Sequence, residues 1–276
     1  MNLSKHKGFT SIHGTELYFE VQGVGQPLLF LHAGVGDSGM WDQQFDTFAQ
    51  TYQVIRCDLR GFGQSRLMPG NFAHYEDVAA LLHTLQVGPV TLIGASFGGA
   101  VAVDIALAHP DLVTGLILAG PAVGGYSFTS PEMLAFLEEE ETALAQGDIQ
   151  AATESNLKMW VDGWNRAPEQ VNPEVRERVR IMQDRIFAHE HPEDSNEEEL
   201  VPPAYERLAT IPLPTCIMVG AHDVAEFQSL AANVAQSIRG TQLTTIAHAA
   251  HLPNMEQADI FNQHVQAFLN EQLRSE

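Results

Sequence analysis

One short stretch constrains this chain more than any other: Val90-Thr91-Leu92-Ile93-Gly94-Ala95-Ser96-Phe97-Gly98-Gly99-Ala100. An apolar run ends in Gly-x-Ser-x-Gly, and small and apolar residues then continue at helical spacing. The pattern predicts a buried strand over 90–95, a sharp turn, and a helix over 97–108 that stops before Pro110. Ser96 stands at the corner. So tight a turn forces strained backbone geometry on the serine, and only neighbours without a Cβ fit across it. The helix beginning at Phe97 directs free N–H groups and its positive dipole end at that serine.

The rest of the chain supplies the context such a corner needs. Residues 9–22 alternate apolar and polar around His13-Gly14, as in a β-hairpin. Leu28 to Leu31 is wholly apolar and opens into His32-Ala33-Gly34-Val35-Gly36-Asp37-Ser38, a small-residue loop whose backbone N–H groups can approach a ligand. A helix is expected over 41–50, a strand over 52–57, a helix over 73–86 and a strand over 113–119. Between them, Asp58-Leu59-Arg60-Gly61-Phe62-Gly63-Gln64-Ser65 lacks both the spacing and the lysine of a nucleotide loop. Strand and helix in this rhythm imply a parallel sheet covered on both faces. The rhythm breaks over 123–210, which holds helix-like acidic segments and no convincing buried strand. It resumes at Thr215-Cys216-Ile217-Met218-Val219, followed by a helix over 226–238, a strand over 241–246 and a last helix over 256–273. The domain reading is a core of 1–122 and 211–276 with a helical cap inserted at 123–210.

Charge narrows the partners. The formal net charge is −21, and residues 131–210 hold 19 acidic against 7 basic side chains. Such a field repels nucleic acid and anionic membrane, so neither is expected as a partner. Runs such as Glu138 to Glu141 read as solvated faces, without the spacing of a calcium loop. No apolar run reaches the roughly 20 residues of a membrane helix, and the first residues lack a signal-like apolar stretch. Cys57 and Cys216 fall in expected strands with no metal-type spacing. The expectation is a cytoplasmic protein with reduced core thiols, monomeric or homodimeric.

A serine hydroxyl needs a base, and the base needs an orienting acid. On this fold each partner should follow the C-terminal end of a later strand. Gly120-Pro121-Ala122 offers no carboxylate. Gly220-Ala221-His222-Asp223 does, which points to Asp223. After the last strand come His248 and His251. His251, deeper in the loop and just before Pro253, is the preferred base, with His248 left to packing.

In this order the motifs HAGVG, DLRGFGQS, GASFGG, GAHDV and HLPNMEQ resemble the α/β-hydrolase superfamily over nearly the whole chain outside the cap. The resemblance implies a mostly parallel eight-stranded sheet with helices on both faces and an inserted cap. It implies an oxyanion hole from the backbone N–H groups of Gly34 and Phe97, and it supports His251 as the histidine. His-Ala replaces the usual His-Gly at 32–33. The chain is similar to 3-oxoadipate enol-lactonases, small carboxylesterases and cofactor-free haloperoxidases. A serine at the elbow excludes the carboxylate-dependent epoxide hydrolases and dehalogenases. Hydrolases of C–C bonds commonly carry Asn where this chain has Ala95.

The implied reaction is hydrolysis of a small carboxylic ester or lactone through an acyl-enzyme on Ser96, with no metal or organic cofactor. Perhydrolysis, acyl transfer and C–C bond hydrolysis at the same residues stay open, as does a ligand receptor on a hydrolase scaffold. Trp41, Trp160 and Trp164 are candidate substrate-pocket walls. Arg60 and Arg166 are candidate pocket cations for an anionic substrate, with Arg60 better suited to bracing its own turn.

Overall fold

Leu28 to Leu31 has no polar side because it has no solvent side. Leu28 and Phe30 enter one apolar core and Leu29 and Leu31 another. The computed structural model, which describes residues 6–163 and 165–272, repeats this division across the central strands. Burial on both faces is why these strands read as continuous apolar runs rather than alternating ones.

The strands are β1 (His6–Ile12), β2 (Thr15–Gln22), β3 (Pro27–Leu31), β4 (Gln53–Cys57), β5 (Gly70–Phe72), β6 (Val90–Ala95), β7 (Val113–Ala119), β8 (Ser195–Glu197), β9 (Thr215–Gly220) and β10 (Gln242–Ile246). Eight of them form one sheet in the order β1-β2-β4-β3-β6-β7-β9-β10. Only β2 runs against its neighbours; the pairings from β4 to β10 are parallel. The helices are α1 (Asp42–Phe48), α2 (His74–Leu85), α3 (Phe97–Ala108), α4 (Pro131–Ala145), α5 (Ile149–Asn156), α6 (Pro173–Phe187), α7 (Ala204–Arg207), α8 (Ala225–Ser237), α9 (Pro253–Glu256) and α10 (Ala258–Gln272). Phe45, Phe48, Phe261 and Val265 of α1 and α10 cover one face of the sheet. Val78, Leu82, Ile105, Leu230 and Val234 of α2, α3 and α8 cover the other.

Residues 123–210 lie between β7 and β9, which pair directly, so they are an insertion into the sheet's connectivity. Met133, Phe136, Trp160, Val179 and Met182 of this segment join the core on the α1 and α10 face. Polar links fasten it as well. Arg185 of α6 donates to Asp37 Oδ2 at 2.6 Å, and Arg178 reaches both Gly39 O and Asp42.

Three local differences from the sequence reading have physical causes. Residues 123–210 contain a strand, β8, but not a buried one: it is three residues long and pairs with β5 in a separate small sheet. That is too short for a periodicity to register. The helix expected over 41–50 begins as a 3-10 turn, Ser38–Trp41, because the Asp37 carboxylate caps Gly39 N–H. The last helix is broken at Gln257, which takes φ −132° and ψ 51°. There Glu256 turns back onto Ala250 N–H and Gln257 Nε2 bonds His248 O. Among the described residues no helix is long and apolar enough to cross a membrane.

Candidate active site

Parallel strands bring the C-terminal ends of β3, β6, β9 and β10 to one edge, and the loop after each carries one part of the site. Ser96 follows β6 with φ 48° and ψ −113°, a conformation L-residues rarely adopt and one that costs about 1–3 kcal/mol. The surroundings hold it there. Its N–H donates to Ala119 O at 2.9 Å, and its C=O accepts from Gly99 and Ala122. A Cβ on Gly94 would stand 2.3 Å from Gly98 O, and one on Gly98 2.3 Å from Leu31 O. Both glycines are therefore obligatory.

The loop after β3 arrives beside this corner. A Cβ on Gly34 would lie 3.7 Å from Phe97 Cβ. Ala33 N–H is engaged by Met40 Sδ at 3.2 Å, whereas the N–H groups of Gly34 and Phe97 donate to no protein acceptor among the described residues. His32 fixes the loop. Its Nδ1 donates to Ala33 O at 2.9 Å and its Nε2 accepts from Leu59 N–H at 3.0 Å. That pattern requires the neutral imidazole, and burial holds its pKa below the usual histidine value. Asp58 joins the same brace, accepting from Ser38 N–H at 2.7 Å and Gln64 N–H at 2.8 Å.

The two histidines differ in their surroundings. His251 Nδ1 lies 2.9 and 3.0 Å from the two oxygens of Asp223, and both residues are 2% exposed. A carboxylate only accepts, so Nδ1 carries the proton and Nε2 is left with its lone pair. Nε2 is buried and has no hydrogen-bond partner among the described residues. His248 is exposed, and only its backbone C=O takes part, accepting from Arg166 and Gln257. Asp223 is steadied by Val224 N–H at 2.8 Å. Gly120, at φ +49°, passes so near that a Cβ would sit 3.2 Å from both Asp223 Oδ2 and His251 Nδ1. Because Ser96 N–H bonds Ala119, the residue just before it, the serine corner and the Asp223–His251 pair flank the same strand end.

Residues 157–162 also reach the histidine. Trp160 sits in a π-helical turn, Leu157–Asp162, a form that recurs at functional sites. Its ring centroid lies 4.6 Å from that of His251, its C=O accepts from His251 N–H at 3.3 Å, and Phe227 meets the imidazole edge-on at 4.5 Å. Trp41 is corrected: it is 0% exposed between Phe30 and Phe261, a core residue rather than a pocket wall. Trp164 lies outside the described residues.

Of the two candidate cations, Arg60 is structural, as expected, and Arg166 as a pocket cation is corrected. Arg60 forms a bidentate pair with Asp77 at 2.7 and 2.9 Å, and Arg166 is bound to Glu256 and three backbone carbonyls. Sequence reasoning missed Gly120, Phe227 and Glu256 as neighbours of the histidine. Glu256, three residues past Pro253, was visible only as part of a motif. A groove of about 990 Å³ opens on the insertion between α4 and α5, walled by Phe136, Ala143, Ser155 and Met159, and Ser96, Asp223 and His251 do not line it. Among the described residues no group of three or more His, Cys, Asp or Glu is placed to hold a metal ion.

The sheet order and the loops at its C-terminal edge define an α/β enzyme scaffold of the nucleophile-elbow kind. A model of the alpha/beta hydrolase family matches residues 28–264, and the chain belongs to that family. Among curated proteins it is 26% identical over 261 residues to an (E)-2-((N-methylformamido)methylene)succinate hydrolase of Acinetobacter baylyi, covering 92% of this chain and 94% of that one. It is also 26% identical over 273 residues to a putative carbamate hydrolase of Azorhizobium caulinodans, covering 94% and 97%. Among solved structures, a thermophilic esterase of Thermogutta terrifontis superposes with a TM-score of 0.76 at 26% identity, covering 98% of this chain and 99% of that one. An enol-lactonase of Burkholderia xenovorans gives 0.76 at 23% identity, over 95% and 100%, and shares the fold.

Proposed function

We propose that this hydrolase cleaves a small, neutral carboxylic ester or lactone through an acyl-enzyme on Ser96, beneath a cap formed by residues 123–210. The observation that carries the reading is the Asp223–His251 pair, with Nδ1 at 2.9 Å from the carboxylate and Nε2 buried and unpartnered among the described residues. In this mechanism Nε2 takes the Ser96 proton as Oγ attacks the acyl carbon. The carbonyl electron pair moves to oxygen, and the oxyanion accepts hydrogen bonds from Gly34 and Phe97 N–H, each worth about 2.7–4 kcal/mol. Collapse breaks the C–O bond, and the leaving alkoxide takes the proton from His251. Water then gives its proton to Nε2 and attacks the acyl carbon. Release of the acid returns that proton to Ser96. Asp223 holds the tautomer and stabilises the imidazolium.

The neutral substrate follows from the arginines. Arg166, Arg176, Arg178, Arg180 and Arg185 of the insertion all have carboxylate partners, as does Arg60. To draw on any of these arginines, a carboxylate-bearing substrate would have to break its pair. The likeness to the Thermogutta esterase supports the ester reading.

The test is a panel of short-chain p-nitrophenyl esters and simple lactones, each with a carboxylate-bearing analogue, run on wild type and Ser96→Ala. We expect turnover of the neutral members, a loss of kcat of about 10⁴-fold or more in Ser96→Ala, and poor use of the anionic analogues. Turnover unchanged by Ser96→Ala would refute the mechanism, and a preference for the anionic analogues would refute the substrate class.

A further inference from the structure

Arg166 is not at the reaction centre, yet its guanidinium connects the two segments that fix His251. On the insertion side, Nε donates to Asp162 O and a terminal nitrogen to Val161 O, both at 2.7 Å. These carbonyls close the π-helical turn that carries Trp160. On the other side it donates to His248 O at 3.3 Å and to Glu256 Oε2 at 2.7 Å. Glu256 spends its second oxygen on Ala250 N–H, at 2.6 Å, and Ala250 immediately precedes His251. The two side chains are 8% and 3% exposed. Close packing reinforces the link, since a Cβ on Gly163 would stand 2.6 Å from Ala250 Cβ and 2.4 Å from His222 O.

We infer that Arg166 and Glu256 form a positioning pair that holds the His251 loop in register with the insertion. This inference rests on the reading of His251 as the base. The imidazole has two anchors: Asp223 sets its rotation through Nδ1, and the backbone on either side of Ala250–His251 sets where the ring sits. The second anchor is the Glu256 bond to Ala250 together with Trp160 O on His251 N–H. Both are held by the same guanidinium. A planar donor with five N–H groups can serve all four acceptors, three carbonyls on two segments and a carboxylate, whereas a lysine ammonium has only three donors. Removing it takes one donor each from three backbone carbonyls and a buried carboxylate, leaving His248 O only Gln257 Nε2 and Glu256 only Ala250 N–H. The loop then relaxes, and a displacement of about 1 Å at a reacting group costs on the order of 100-fold in rate. The bonds touch no part of the substrate, so binding should be little affected.

The test compares Arg166→Met, Arg166→Lys and Glu256→Gln with Arg176→Met and His251→Ala, measuring kcat, KM and Tm on a neutral p-nitrophenyl ester. Arg176 pairs with the side chains of Asp162 and Glu154, and its ion pairs among the described residues do not include the histidine loop. We expect kcat to fall about 10- to 100-fold in Arg166→Met, with KM within about threefold. Arg166→Lys and Glu256→Gln should fall between Arg166→Met and wild type. Arg176→Met should lower Tm while keeping kcat within about twofold of wild type. Wild-type kcat in Arg166→Met, or a loss in Arg176→Met that tracks Tm to the same extent, would overturn the pairing. If His251→Ala kept full activity, the reading of His251 would fail instead, whatever Arg166 did.

Discussion

Ser96 holds a left-handed backbone because every neighbour that could relieve it is already committed. Gly94 and Gly98 are pressed against each other and against β3, and the serine's own N–H and C=O are both bonded. Strain of this kind persists only where the surroundings over-determine it. A different economy governs Asp104, on the helix that starts at the same corner. Its Oδ1 is buried without a partner, and burial, with Glu197 and Glu199 nearby, pushes its pKa up to about 7. A carboxyl whose pKa is higher folded than unfolded binds more protons in the native state between about pH 4 and 7. Stability is therefore lost as pH rises through that window. Asp104→Asn, which cannot ionise, should be more stable than wild type at pH 8 by about 1–3 kcal/mol and close to it at pH 4. Denaturant unfolding at the two pH values measures this, and an equal effect at both would show that the carboxyl's charge is not the cause.

At the scale of elements, the π-helical turn Leu157–Asp162 brings the insertion onto the histidine. Regular helical geometry would place Trp160 elsewhere, and nothing in a sequence period announces an extra residue per turn. Trp160 is wedged among Phe136, Phe227 and His251, with Nε1 on Asn156 Oδ1 at 3.2 Å. Trp160→Ala should destabilise the protein by about 3–5 kcal/mol and reduce kcat more than it raises KM. Trp160→Phe should keep most of both, since a ring still covers the imidazole. Urea unfolding and steady-state kinetics read the two effects, and wild-type kcat in a folded Trp160→Ala would show that Trp160 does not position the base. The strands and helices of the main sheet were legible because each carries a strong period and a clear stop. The three-residue strands were too short to show a period, and the 3-10 entry to α1 and the break at Gln257 were not legible because individual side-chain-to-backbone bonds decide them.

Across the whole molecule the sequence order of the site survives in space. Loops at the ends of β3, β6, β9 and β10 meet because their strands lie parallel, so residues from 34 to 251 reach one edge. That Asp223 would meet His251 was readable from their places after strands, and that Gly34 would lie beside Phe97 from resemblance. Trp41 was misjudged because a large aromatic beside a functional loop reads the same whether it faces a pocket or, as here, the core. Arg166 was misjudged because its partners come from two segments far apart in the chain. The net charge of −21 goes with five arginines, Arg166, Arg176, Arg178, Arg180 and Arg185, that are each paired to a carboxylate, which is the basis for expecting neutral substrates.

The central claim is a covalent intermediate on one hydroxyl, and a fluorophosphonate tests it directly, because its serine adduct mimics the tetrahedral state and does not hydrolyse. After reaction with a small alkyl fluorophosphonate, intact-mass and peptide mass spectrometry should find one adduct per chain, on Ser96, with ester turnover abolished in proportion. Ser96→Ala should take up none. A chain that stays unlabelled while it turns over ester, or one labelled at another residue with Ser96 free, would contradict the account.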